Sequence, residues 1–209
     1  MNNDVKKIKQ MGKPFFYKIL IIFSVLIAIF PFLWIKGIPF GNDASFHLSR
    51  VASLAEGLKN GVLFPGVYAD YFEGMGYGNG LFYPDLFLYI PAVLMVMGVS
   101  NIGAYKIFLI LLTFLVPLSM YYSVKHVWKS DFGAAISALL YLFCSFFRTD
   151  LYLRSSIGEV LAFVFLPLIV AGLWQIIIGD YNKWRLLTLS FSGLILSHVL
   201  SAVMMVFIS

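Results

Sequence analysis

Residues Lys18–Phe40, KILIIFSVLIAIFPFLWIKGIPF, run directly into Gly41–Arg50, GNDASFHLSR. The first stretch is apolar for about the ~20 residues that a helix needs to cross a bilayer. The second places Asp43, His47 and Arg50 where that crossing should end. The rest of the chain has the same character: of 209 residues, 61% are hydrophobic and only 12% charged, and the mean hydropathy is +0.90. Those values lie outside the range of soluble globular domains. They predict an all-α, polytopic transmembrane helix bundle, forming one membrane domain over residues 1–209.

The net charge of +5 comes from separate basic clusters with no interleaved stacking platform, so nucleic acid is excluded as a partner and membrane lipids are expected. The single cysteine, Cys144, sits inside an apolar run and provides neither a disulfide framework nor a thiolate metal cluster. Ahead of the first span stand Lys6, Lys7, Lys9, Lys13 and Lys18, and no small-residue cleavage site follows before Trp34. This predicts an uncleaved, multi-pass protein of the cell membrane with a cytoplasmic N-terminus.

Further apolar segments cover about 82–98, 102–124, 132–147 and 159–178, and another starts at 186. If all of them crossed, the basic loops at Lys125/Lys129 and Lys183/Arg185 would fall outside, against the positive-inside bias. The segment 82–98 is short and contains Pro84, Asp85 and Pro91, so it is read as re-entrant or interfacial. All the basic loops then share the cytoplasmic side. A first outer loop over 36–101, with juxtamembrane helices, and a second over 148–158 share the other.

In the first outer loop Asn42 or Asp43 is a fitting N-cap for a helix that Gly61 would end. At about 100° per residue, Asp43, His47, Arg50 and Leu54 lie on one stripe within the apolar arc. Charges there are costly unless paired or used. Two readings stay open: Asp43 caps the helix while Arg50 and His47 pair with it, or Asp43 is an acid oriented at a membrane-level site. Asp43 and His47 also make half of a metal site. The glycine-rich and tyrosine-rich stretch that follows carries Asp70, Glu73, Tyr83 and Asp85 but no phosphate-binding P-loop; its tyrosines suit either sugar stacking or interfacial anchoring.

The second outer loop, FRTDLYLRSSIGE, supplies Arg148, Asp150, Arg154 and Glu159. The arginines either hold a lipid phosphate or neutralise the two acids, and Glu159 also suits a helix first turn. His198, in SGLILSHVLSAVMM, is either a packed hydrogen-bonding group or a ligand.

This order of parts resembles the bacterial GT-C integral-membrane glycosyltransferases, which use polyprenyl-phosphate sugars. More narrowly, NDASFHLSRVASLAEGLKNG, GYGNGLFYPD and LRSSIGE are similar to membrane proteins labelled as related to 6-pyruvoyl-tetrahydropterin synthase, although no residues here resemble a pterin enzyme. The GT-C resemblance implies a catalytic base at Asp43 and an assisting acid at Asp150 or Glu159. Many relatives carry two adjacent acids in the first loop, whereas here Asp43 stands between Asn42 and Ala44. The same resemblance implies a larger protein of which this chain is the N-terminal part.

On that reading a sugar passes from a polyprenyl-phosphate lipid to an envelope glycan or protein acceptor on the outer face. Asp43 takes the acceptor's proton and His47 orients it. Arg50, Arg148 or Arg154 meets the phosphate, Tyr83 and His198 contact substrate, and the cofactor is left open, with a divalent metal ion as the candidate. The rivals are a transporter or flippase of lipid-linked envelope precursors, and a non-catalytic GT-C-like scaffold.

Overall fold

The computed structural model describes residues 2–37, 41–68 and 74–208. Asp70 and Glu73, and the side chains of Lys6, Lys7, Lys9 and Lys13, lie outside the described residues. Every element among those described is helical, apart from an isolated antiparallel bridge between Tyr68 and Tyr77. The elements are α1 (Asn2–Trp34), α2 (Ala44–Lys59), α3 (Tyr89–Val96), α4 (Asn101–Trp128), α5 (Asp131–Leu142), α6 (Ser145–Arg148), α7 (Ile157–Trp174), α8 (Arg185–Ile195) and α9 (Val199–Ile208). A wider helical turn, Thr149–Arg154, prolongs α6, and a second, Gln175–Gly179, prolongs α7.

Phe15–Trp34, α4 and Ile157–Gly179 are long and apolar enough to cross a membrane. A fourth candidate is α5 with Ser145–Arg154, bent by 44° at the break between them. The fold is therefore an all-α polytopic bundle. The helix Leu86–Val96 is much shorter: at about 1.5 Å per residue it is far from spanning ~30 Å of hydrocarbon.

The apolar run from 186, read above as one segment, is divided into α8 and α9 at Leu196–His198. Polar side chains make the break by competing for backbone groups. The Ser197 hydroxyl donates to the Leu194 carbonyl at 2.9 Å. His198 Nδ1 accepts the Ser201 N–H at 3.3 Å, capping α9 from within the apolar run.

The long helix α4 packs against α1, α2, α3, α5 and α7. At its start, Asn101 donates to the Leu48 carbonyl at 3.0 Å, Tyr105 donates to the Ser155 carbonyl at 2.9 Å, and Lys106 donates to the Ile35 carbonyl. At its far end Lys125 pairs with Asp131 at 2.6 Å, close to the start of the apolar part of α1, Phe15–Trp34, where Tyr17 meets the Phe132 ring at 6.1 Å. So α1 and α4 run antiparallel, and the end of α1 and the start of α4 lie at the same end of the bundle. Asp43, Asp85, Asp150 and Glu159 gather at that end. Lys18, Lys125 and Lys129 gather at the other.

Glycines set the close crossing of α7 and α8, as small residues do between apolar helices. A Cβ on Gly172 would lie 2.8 Å from the Leu187 backbone nitrogen, and one on Gly193 would lie 2.3 Å from the Phe165 ring. The backbone neighbour at Gly172 has no rotamer to yield. Gly172→Val is therefore expected to cost about 1–3 kcal/mol, the usual scale for overpacking. Gly179→Ala, whose added Cβ meets only the Gln175 side chain at 4.0 Å, should be close to neutral. Thermal melting of both variants in detergent would check this, and equal melting points would be the contrary result.

Candidate functional site

The apolar face of α2 is formed by Val51, Leu54 and Ala55, all fully buried, and the stripe that contains them takes His47 and Arg50 inward with it. Arg50 is 1% exposed. Its partner is Asp85 rather than Asp43: Nη2 forms an ion pair with the Asp85 carboxylate, and Nε donates to the same carboxylate at 3.2 Å. Nη2 also donates to the Pro84 carbonyl at 2.9 Å. Tyr68 donates its hydroxyl to the other Asp85 oxygen. The rings of Tyr83 and Phe46 lie 4.8 and 5.5 Å from the guanidinium carbon. Arg50, expected as a phosphate partner, thus has its donors engaged inside the protein, and Tyr83 packs on it.

His47 lies beside this pair, with Arg50 Nη1 donating to Nδ1 at 3.3 Å. That contact needs a neutral imidazole with its proton on Nε2. Burial, the Arg50 guanidinium and His198 together hold the His47 pKa at about 3.

A second guanidinium organises the other acids. The turn Thr149–Arg154 ends at Ser155 in a left-handed conformation, φ 54°, and the chain reverses into α7 with the Ser156 N–H on the Asp150 carbonyl at 3.0 Å. This folds Arg154 back over the first turn of α7. Its two terminal nitrogens donate to the two Glu159 oxygens at 2.9 and 2.7 Å, a bidentate fork that fixes the guanidinium plane. Nη1 also donates to Asp150 at 2.8 Å. Asp43 joins from the first loop: its carboxylate lies 3.9 Å from Arg154 Nη2, and its N–H donates to the Arg154 carbonyl at 3.0 Å.

Asp43 does occupy the N-cap position of α2, but its side chain makes no capping hydrogen bond. It remains 40% exposed. Asp150, by contrast, is fully buried, and its second oxygen has no hydrogen-bond partner; it braces Arg154 from below. Ser156 donates to Glu159 at 3.3 Å.

Beyond Glu159 a cavity of about 460 Å³ opens between α7 and α9, lined by apolar side chains together with Glu159, His198 and Ser201. His198 Nδ1 and the Ser201 hydroxyl lie 2.8 Å apart. The cluster thus brings Asp43, Asp150, Arg154 and Glu159 into contact, with His198 at its edge and His47 behind. Arg148 lies away from it, beside α1. Among the described residues no three His, Cys, Asp or Glu side chains converge as a metal site. Reasoning from sequence missed Asp85 as the partner of Arg50, and also Ser156 and Ser201. Ser156 and Glu159 form the S-x-x-E pattern of a capping box, which could have flagged the first.

A family model described as the 6-pyruvoyl-tetrahydropterin synthase related domain, a membrane protein, matches residues 81–209. The match takes in Asp85, Asp150, Arg154, Glu159 and His198 and leaves α2 outside. Neither comparison with curated proteins nor comparison with solved structures gives a match.

The low pKa of His47 has a consequence for stability. Above its ordinary value of 6.5 both folded and unfolded chains carry a neutral ring, and this group adds no pH dependence. Between 6.5 and about 3 only the unfolded chain takes up the proton, so stability is lost as pH falls. At pH 5 the loss from this group amounts to about 2 kcal/mol. His47→Gln keeps an acceptor for Arg50 and should lessen the fall in melting temperature between pH 7 and 5. A wild-type and a variant with parallel pH profiles would show that His47 is not buried as a neutral ring.

Proposed function

The chain belongs to the 6-pyruvoyl-tetrahydropterin synthase related family of membrane proteins, and from that premise we propose that the acids around Arg154 form the active site of a membrane glycosyltransferase. Its donor is a polyprenyl-phosphate sugar and its acceptor a hydroxyl of an envelope glycan or protein. One observation carries the proposal: Asp43 from the first loop and Asp150 with Glu159 from the second meet on a single guanidinium at one end of an apolar bundle. Acids from those two loops are the ones to which the GT-C resemblance gives roles.

In this chemistry the acceptor hydroxyl loses its proton to Asp43 as its oxygen attacks the anomeric carbon. The bond from that carbon to the phosphate oxygen breaks, and the polyprenyl phosphate leaves with the electron pair. Arg154, locked by Glu159 and Asp150, positions Asp43. No step is assigned to a metal ion, since no described group of side chains fits one.

A second reading, a transporter or flippase, is favoured by a different feature. A polar break between α8 and α9 sets His198 against a cavity that also touches Glu159, and discontinuous helices with ionisable groups are characteristic of transporter sites.

For orientation, we propose that the end bearing Lys18, Lys125 and Lys129 faces the cytoplasm, following the positive-inside bias, and that the acid cluster faces outward. In a Cys144→Ser background, Ser45→Cys should react with an impermeant thiol reagent added outside and Asn182→Cys should not. The reverse pattern would refute the orientation.

The catalytic proposal is tested at Asp43. Asp43→Asn retains the volume and loses only a partly exposed ion pair, so stability should change by less than about 1 kcal/mol. Sugar transfer from a polyprenyl-phosphate donor, assayed in membranes with the full protein, should fall by roughly 100-fold or more, the scale of losing a general base. Transfer at the wild-type rate would remove Asp43 from the chemistry. Wild-type lipid movement without any transfer would favour the second reading.

A further inference from the structure

The three arginines at the acidic end have different surroundings. Arg50 and Arg154 are each held by carboxylates. Arg148 is exposed, and among the described residues no acid pairs with it and no side-chain hydrogen bond engages it. It lies at the junction of two recesses. One, of about 330 Å³, is lined by Ser145, Arg148, Thr149, Tyr152 and Leu153. The other, of about 510 Å³, is a groove between α1 and the turn after α5, with Ile27, Pro31 and Ile35 on one wall and Phe143 and Leu151 on the other.

The position of this groove in the bundle is defined. Tyr152 stacks on Phe32 with ring centroids 5.4 Å apart and donates its hydroxyl to the Ala28 carbonyl, which ties the turn to the last third of α1. The outward side chains of α1 there, Phe23, Phe30 and Leu33, are more than half exposed, so the groove is continuous with the apolar surface of a candidate span. Arg148 and Tyr152 face α1, whereas Asp150 and Arg154 face α7. The groove is thus separate from the acid cluster.

We propose that this groove holds one bilayer phospholipid with an anionic headgroup. One acyl chain lies along α1 between Ile27 and Ile35, the phosphate meets the Arg148 guanidinium, and the hydroxyls of Ser145 and Thr149 are within the same recess to donate to it. The headgroup class follows from charge. Neither recess is lined by an Asp or Glu that could receive a choline or ethanolamine cation, while one guanidinium is available for the phosphate. A glycerol headgroup satisfies both conditions.

The test is lipid retention by the purified full chain, read by native mass spectrometry after titration with phosphatidylglycerol or phosphatidylcholine of the same acyl chains. Wild-type protein should retain phosphatidylglycerol about fivefold better, the scale of one basic side chain at a membrane surface. Arg148→Gln should abolish that preference with an unchanged melting temperature, and Arg148→Lys should keep part of it. Equal retention of the two lipids by the wild type, or an undiminished preference in Arg148→Gln, would overturn the proposal. Displacement of phosphatidylglycerol by an equimolar polyprenyl phosphate would overturn it too, assigning the groove to an isoprenoid phosphate. None of these readouts depends on the glycosyltransferase proposal.

Discussion

A guanidinium with 1% of its surface exposed cannot be left without a counter-charge, because an unpaired buried ion costs several kcal/mol. Arg50 therefore requires an acid to come to it, and Asp85 is the one that does. That single pairing holds Tyr68, Pro84 and Asp85 together at α2. Tyr68 completes the carboxylate's second oxygen, Tyr83 and Phe46 cover the cation, and His47 becomes a neutral acceptor. Because Asp85 immediately precedes Leu86–Val96, the pairing also anchors the start of this short apolar helix at the end where α4 begins.

The second guanidinium imposes a different constraint. Arg154 faces three carboxylates, two of them from its own turn and α7 and one from the first loop. The tight contacts are all on the α7 side, and the contact to Asp43 is the long one. Within the first loop the Arg50–Asp85 pair ties α2 firmly to the segment before α3, while the side-chain contact from Asp43 to the second loop is loose. The loose attachment is reinforced by the backbone bond from Asp43 N–H to the Arg154 carbonyl, so Asp43 is placed by its main chain while its carboxylate stays open.

Much of this was readable from residue order. Apolar runs with basic flanks located the candidate spans, and the 100° stripe on α2 carried His47 and Arg50 inward as expected. The short proline-bearing segment before α4 forms only a short helix. What could not be read were the pairings. A stripe says that Arg50 is buried but not which of several loop acids reaches it, and the answer lies 35 residues away. Nor does local pattern reveal that Arg148 and Arg154, in one short loop, face opposite neighbours. That division follows from a helical turn wider than the ordinary one, which no periodicity rule assumes. The break at Leu196–His198 was hidden for a similar reason, since the surrounding residues are uniformly apolar and only the side chains of Ser197 and His198 disturb the backbone.

Three acids surround Arg154, and their lone pairs are not equally available. Both Glu159 oxygens accept from Arg154, and one accepts from Ser156 as well. Asp150 accepts from Arg154 through one oxygen and has its other sealed from solvent. Asp43 makes no side-chain capping bond, and its nearest cation, at 3.9 Å, is beyond hydrogen-bond length. Of the three carboxylates it is the most exposed and the only one without a donor at hydrogen-bond length from Arg154. On the proposed chemistry the other two are positioning groups: they hold Arg154 so firmly that it can orient Asp43 without closing on it. A fully bidentate Asp43–Arg154 pair would bind the first loop more tightly and, by stabilising the ionised carboxylate, make it a weaker base, so on the proposed chemistry the long contact suits a residue that both fastens the loop and takes a proton.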